Sequence, residues 1–287
     1  CGRIQRGKCT VPDPDLIEFS SAKPARPGRE RLLIAGAVAA VAVAVIAAVV
    51  VVVGIGSGGS APGGGAGSPA NPALGQLLAQ VTGVPAGASA AAGDGHGQVT
   101  MTLAHVPGQA LTARGRPEVL YVATEYCPYC AAQSWALLVA LSRFGTFTGL
   151  TAIRSGNYQP FPDLATWTFY GSAYSSRYLT FVPVETKSNV LAARTANPQH
   201  GSSYARLQKL TAAEQAVFSR YDQAASVPFL DFGNRSVIVG ASFSPLVLQK
   251  LTWSQIAAAL REPVSLAGQA IVGTRELHDR RDLPADR

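Results

Sequence analysis

The chain has 287 residues, 47% hydrophobic and only 14% charged, with 24 Lys and Arg against 17 Asp and Glu for a net charge of +7. The charged share lies far below the ~25% usual for soluble globular chains, which excludes a highly charged disordered chain and allows one sizeable domain plus extra segments. The positive charge is mild, spread along the chain and not interleaved with aromatics, so nucleic acid is not an expected partner.

Residues 1–31 are polar and contain Pro, and read as a disordered tail. Leu32–Val53 is an apolar run of Ala, Val, Leu and Ile, interrupted only by Gly36. As a helix it would reach ~33 Å, against a bilayer core of ~30 Å. A secretory signal has a shorter apolar region of ~7–15 residues, so the run predicts a transmembrane helix over 32–54. Lys23, Arg26, Arg29 and Arg31 precede it, and the next basic residue is Arg114. Positive flanks stay inside, so the expectation is a single-pass protein of the cell membrane, N-terminus cytoplasmic and C-terminal domain extracytoplasmic. Residues 55–73 form a Gly/Ser/Pro linker.

A folded domain is expected over 74–273. Leu74–Val81 suits a short helix and Val99–His105 a strand. The run Val119–Thr124 predicts a buried strand, Ala131–Phe144 a helix in which Trp135 packs, and Leu150–Ile153 a second strand. Phe161–Val184 is rich in aromatic and β-branched residues and favours extended structure. Thr211 followed by Glu214 is a capping-box pattern, predicting a helix to Asp222. Pro228–Phe232 and Ser236–Val239 predict a hairpin around Gly233-Asn234. Trp253–Leu260 predicts a last helix capped by Thr252 or Ser254, and 274–287 a frayed tail. Helices alternating with strands, closed by a hairpin, give an α/β fold class.

Chemistry concentrates at Cys127-Pro128-Tyr129-Cys130, directly after a strand and at a helix head. The first N–H groups of a helix lack intrahelical partners and carry partial positive charge, so a Cys127 thiolate is favoured there. Pro128 suits the first helical position. Cys130, one turn in and more sheltered, reads as the resolving thiol. Cys1 and Cys9 fall on the expected cytoplasmic side. His96, His105, His200 and His278 are scattered, so no metal or cofactor is expected. A static structural disulfide is the competing reading, although a loop of two intervening residues stabilises little through chain entropy. Glu125, two residues before the motif, is a possible proton-transfer group or a solvated carboxylate. Pro228 in Ser226-Val227-Pro228-Phe229 opens a strand in a position where a cis bond has a use.

A strand, CPYC at a helix head, a later VPF opening a hairpin and a final helix resemble the thioredoxin fold, and CPYC is the tetrapeptide seen in glutaredoxins. More narrowly, EYCPYCAAQSWALLVALSRFGTFTGL with FVPVE, SVPFLDFGN and LTWSQIA resembles the DUF929 family, membrane-anchored thioredoxin-like proteins of actinobacteria and archaea. The resemblance implies Cys127 as nucleophile, Cys130 as resolving thiol, Pro228 cis beside them, and the Val227 backbone pairing with a substrate peptide, with Tyr129 as a further substrate contact. Two departures stand out. Pro228 follows Cys127 by 101 residues, which implies an insertion over about 156–205. Tyr121 stands where thioredoxins carry a buried acid. The expected function is thiol–disulfide exchange on cysteines of exported proteins, with a membrane or extracellular redox partner. The alternative is a non-catalytic protein that binds a partner through the aromatics of the insertion: Trp167, Phe169, Tyr170, Tyr174, Tyr178 and Phe181.

Overall fold

Two short helices, α1 (Pro72–Thr82) and α2 (Ala86–Ala92), precede the first strand pairings in the computed structural model. It describes residues 72–281 except Thr102 and Pro263. Strands β1 (Ala104–His105) and β2 (Thr112–Ala113) are short, and the strand expected from Val99 is reduced to β1 and one bridge from Val99 to Phe243.

β3 (Arg116–Ala123) ends in five consecutive buried residues. A run without alternation means that both faces of the strand are covered. Residues Val119, Tyr121 and Ala123 belong to the core that α3 (Pro128–Leu141) covers. Leu120 and Val122 belong to a second core with Phe218 of α4 (Ala212–Tyr221). α3 is apolar nearly all round, and every residue in it except Tyr129 is buried. The Thr211–Glu214 capping box that the pattern predicts is formed at the head of α4.

Between α3 and the next strand of the central sheet lies a long two-stranded ribbon. β4 (Gly145–Thr148) pairs antiparallel with β7 (Ala173–Ser176), and β5 (Thr151–Arg154) continues it against β6 (Ala165–Thr168). The second strand expected at Leu150–Ile153 therefore belongs to this ribbon. The strand that pairs parallel with β3 is β8 (Thr180–Glu185), in a register running from Glu118↔Thr180 to Ala123↔Glu185. Parallel strands need a long crossover, and α3 with the ribbon provides it. β9 (Lys187–Leu191) and β10 (Tyr204–Arg206) form a small ribbon after it. The insertion is thus split around β8.

β11 (Phe229–Phe232) lies antiparallel on the other edge of β3, with Phe229 opposite Val122. It turns through Gly233-Asn234, both at positive φ (64° and 55°), into β12 (Ser236–Val239), the expected hairpin. A 3₁₀ turn (Pro245–Leu248) leads to α5 (Trp253–Ala259), capped by Thr252 with Gln255, and then to α6 (Leu266–Arg281). α6 occupies part of the region expected to be a frayed tail, because its first turns pack on α3.

The fold is mixed α/β, with six α-helices among the described residues. This corrects the expected class, which placed a transmembrane helix before the domain. No helix among the described residues is long and apolar enough to cross a membrane. The longest, α6, has 16 residues and would reach only ~24 Å. The expected single-pass membrane localisation is corrected on the same finding. The apolar run at 32–54, the tail at 1–31 and nearly all of the linker at 55–73 lie outside the described residues.

Candidate active site

Three chain segments meet at the C-terminal end of β3. The β3 strand leads through Thr124-Glu125-Tyr126 into Cys127, the extended N-cap of α3 (φ −76°, ψ 124°), with Pro128 at the first helical position. β8 ends beside it at Glu185, opposite Ala123. β11 begins beside it at Phe229, directly after Val227-Pro228. Sheet register, more than chain proximity, brings the three together.

Both Cys127 and Cys130 are free thiols and buried. The Cys130 thiol donates to the Cys127 sulfur, and the amides of Cys130 and Tyr129 also face it. These interactions hold the Cys127 pKa below the usual thiol value, against burial that pushes it up. Cys130 is pushed well above the ordinary value by burial first and by Cys127 second. The Tyr121 hydroxyl donates to the Cys130 carbonyl at 3.2 Å, so the residue standing in place of an acid on β3 pins the motif backbone.

The Val227–Pro228 peptide bond is cis, and the Cys127 thiol lies 3.8 Å from the Val227 carbonyl. Pro228 is buried and its carbonyl accepts from Gly240 N at 2.8 Å. Asp222 shapes the approach to this bond by accepting from the amides of Ala224 (3.1 Å) and Ser226 (2.5 Å). Tyr129 is the exposed member of the motif, with its ring edge-on to Phe161 at 6.2 Å. Glu125 is half-buried and accepts from Asn189 N at 3.2 Å, so it is not freely solvated.

Glu185 was not singled out from the sequence. It is 3% exposed, and its Oε2 accepts from the Thr168 hydroxyl and from Tyr170 N (2.8 Å), both on or beside β6. Burial raises its pKa to about 7, partly offset by those donors. Glu185 shares with Glu125, Cys130, Tyr121 and Thr124 the wall of a cavity of ≈10 Å³, about the room of one water. An acid carried by the neighbouring strand thus lies behind Cys130. The alternation Phe181-Pro183-Glu185 was a sequence signal for it, because period two points Glu185 to the same face as Phe181, which packs in the core under α3.

A clasp of tyrosines holds the loop before the motif. Tyr126 stacks on Tyr204 with centroids 4.2 Å apart, and the Tyr126 carbonyl accepts from Gly156 N at 3.0 Å. A Cβ on Gly156 would lie 2.6 Å from the Tyr204 hydroxyl, so only glycine fits there. The insertion aromatics serve mostly as interior: Trp167, Phe169 and Phe181 are buried, Tyr174 and Tyr178 half-buried, and Tyr170 exposed.

No curated protein and no solved structure matches the chain. A family match, described as Domain of unknown function (DUF929), covers residues 102–277, which is more than half of the chain and includes every residue of the dithiol site. The expected family membership is thereby sustained, and the chain belongs to the DUF929 family.

Proposed function

We propose that the protein is a thiol–disulfide oxidoreductase acting on cysteines of other polypeptides. The observation that carries this reading is the dithiol at the head of α3, with Cys127 set 3.8 Å from the carbonyl of half-buried Val227, just before β11, and Cys130 behind it. A static disulfide would gain nothing from that setting. A nucleophile gains a lowered pKa and a backbone edge on which an extended substrate can lie.

The exchange proceeds in two displacements. The Cys127 thiolate attacks one sulfur of a substrate disulfide, forming a mixed disulfide and releasing the other substrate sulfur as a thiolate that takes up a proton. Cys130 then loses its proton to the Glu185 carboxylate, directly or through one water, and attacks the Cys127 sulfur. The Cys127–Cys130 disulfide forms, the second substrate thiol leaves, and two electrons have passed from the protein to the substrate. Run in reverse, the same steps oxidise a substrate dithiol.

Trapping tests the proposal. The Cys130→Ser protein, incubated with a disulfide-bonded peptide, should accumulate a mixed disulfide mapped to Cys127 by mass spectrometry. The same adduct should be absent from Cys127→Ser. Failure of Cys130→Ser to form any adduct overturns the assignment.

A further inference from the structure

Beside the dithiol lies a cavity of ≈350 Å³ lined by Thr100, Met101, Tyr129, Gly240, Ala241, Phe243 and Ser244. It belongs to neither the thiol cavity nor the Tyr126 clasp. Its position is defined by two of its walls. Tyr129 sits between Pro128 and Cys130 in the motif, and Gly240 donates to the carbonyl of Pro228. The cavity therefore spans the gap between the motif and the end of the hairpin that carries the cis proline.

Its third wall comes from outside the central sheet. The segment at Val99–Met101 is fastened by the Val99–Phe243 bridge and by the amides of Thr100 and Met101, which both donate to the Ser242 carbonyl (2.9 and 3.3 Å). Met101 is half-buried, while Ala241 and Phe243 are buried. Among the described residues, no charged side chain lines the space. The thioether of Met101 is adaptable and fills irregular apolar gaps. Tyr129, in the first turn of α3, is 42% exposed and is the helix residue that is not buried.

We propose that this cavity is a specificity pocket that receives a bulky apolar side chain adjacent to the disulfide cysteine of an extended substrate polypeptide. The inference rests on the oxidoreductase reading and deepens it. A substrate cysteine joined to Cys127 has its neighbours ~3.8 Å away per residue along the chain. In an extended strand laid along Val227 those neighbours point alternately to the two sides. One of them faces Tyr129 and the cavity mouth. A carboxylate or ammonium placed there would lose hydration without a partner, since no opposite charge is present, whereas Leu, Met or Phe gains by burial. The volume lies at the low end of ordinary ligand pockets, ~300–1,000 Å³, and suits one large side chain. The substrate class is thus cysteine-containing segments from apolar stretches, the kind that folded proteins normally bury.

The test compares disulfide-bonded peptides that differ only in the residue next to the cysteine: Leu, Phe, Ser or Asp. With wild-type protein the second-order rate of reaction should be about tenfold or more higher for Leu and Phe than for Asp, the discrimination a hydrophobic pocket commonly achieves. Met101→Glu should bring that ratio towards one, while Met101→Leu should keep it. Equal rates across the peptides with wild-type protein, or a ratio unchanged in Met101→Glu, overturns the pocket. Bis(2-hydroxyethyl) disulfide, which has no side chain to place, separates the two levels. If it and the peptides all fail to react with wild-type protein, the oxidoreductase reading itself is lost and the pocket goes with it. If it reacts and the peptides are not discriminated, only the pocket is lost.

Discussion

The β3–α3 unit and the β4–β7 ribbon are made from opposite kinds of sequence. The second part of β3, Val119–Ala123, and all of α3 except Tyr129 are buried, and both are apolar almost without interruption. The ribbon is rich in Thr and Ser, and along β4 and β7 every second residue is exposed. The buried unit fixes where Cys127 and Cys130 stand and tolerates little variation, because packed interiors register even one methylene. The ribbon has polar atoms to spare. It lends the Thr168 hydroxyl and the Tyr170 amide to Glu185, and the loop at its tip lends Phe161 to Tyr129. The site therefore divides its labour: the core holds the two thiols, and the ribbon hydrogen-bonds the acid behind them and meets the motif's exposed ring.

Removing the acid should produce the largest effect. Glu185→Gln keeps the shape and loses the proton acceptor, so resolution of the mixed disulfide should slow about 100-fold, within the range of general-base contributions. In the wild type that step should quicken as pH rises through about 7, where the carboxylate becomes charged. The Gln variant should lose this rise while Cys127 still forms the mixed disulfide. Stopped-flow measurement of both steps separates them. An unchanged resolution rate would show that Glu185 is only a buried structural residue.

The same carboxyl makes stability depend on pH. Its pKa is raised from 4.5 to about 7 in the folded protein. Folding therefore favours the protonated form, and the associated stability is full below pH ~4.5 and lost as pH rises through about 7. The linked free energy is ~3 kcal/mol at most. Denaturant melts at pH 5 and pH 8 should differ in this direction, and Glu185→Gln should flatten the difference.

A smaller effect should come from the ribbon. Thr168→Val removes a donor that lowers the Glu185 pKa, so the midpoint of the resolution step should move to higher pH. At pH 7 the rate should fall by about tenfold or less, and recover at alkaline pH. A loss that persists at all pH values would mean that Thr168 matters for packing, and would erase the distinction between core and ribbon.

The contrast also explains what was legible in the sequence. β3, α3, the capped α4 and the Gly233-Asn234 hairpin each announce themselves locally, through a continuous apolar run, a CxxC at a helix head, a capping box and a turn dipeptide. Their order was the reason to expect Pro228 beside the dithiol. The ribbon was misread because its strands pair with each other at separations that no local pattern encodes. Ile153 pairs with Thr166, and the true neighbour of β3 lies at Thr180–Glu185. Glu185 escaped for the same reason: its alternation with Phe181 shows which way it points, but only the register Ala123↔Glu185 shows what it points at. The family match begins at residue 102, while the cavity wall at Thr100 and Met101 lies just before it. That wall becomes visible only when the bridge to Phe243 is seen.

The smallest expected effect lies at the ribbon tip. Phe161 is half-buried and meets Tyr129 edge-on, with an interplanar angle of 84°. Such a pair contributes ~0.5–1.5 kcal/mol beyond area burial, and Tyr129 is partly in water, which reduces the return. Phe161→Ala should lower stability by about 1 kcal/mol in a denaturant melt. It removes no donor from Cys127, whose lowered pKa rests on Cys130 and the amides of α3. The alkylation rate of Cys127 against pH should therefore keep its midpoint, while Tyr129 becomes freer to move. A shifted midpoint would mean that the ribbon reaches the nucleophile as well as the acid, and the division between the two regions would have to be redrawn with the tip on the side of the core.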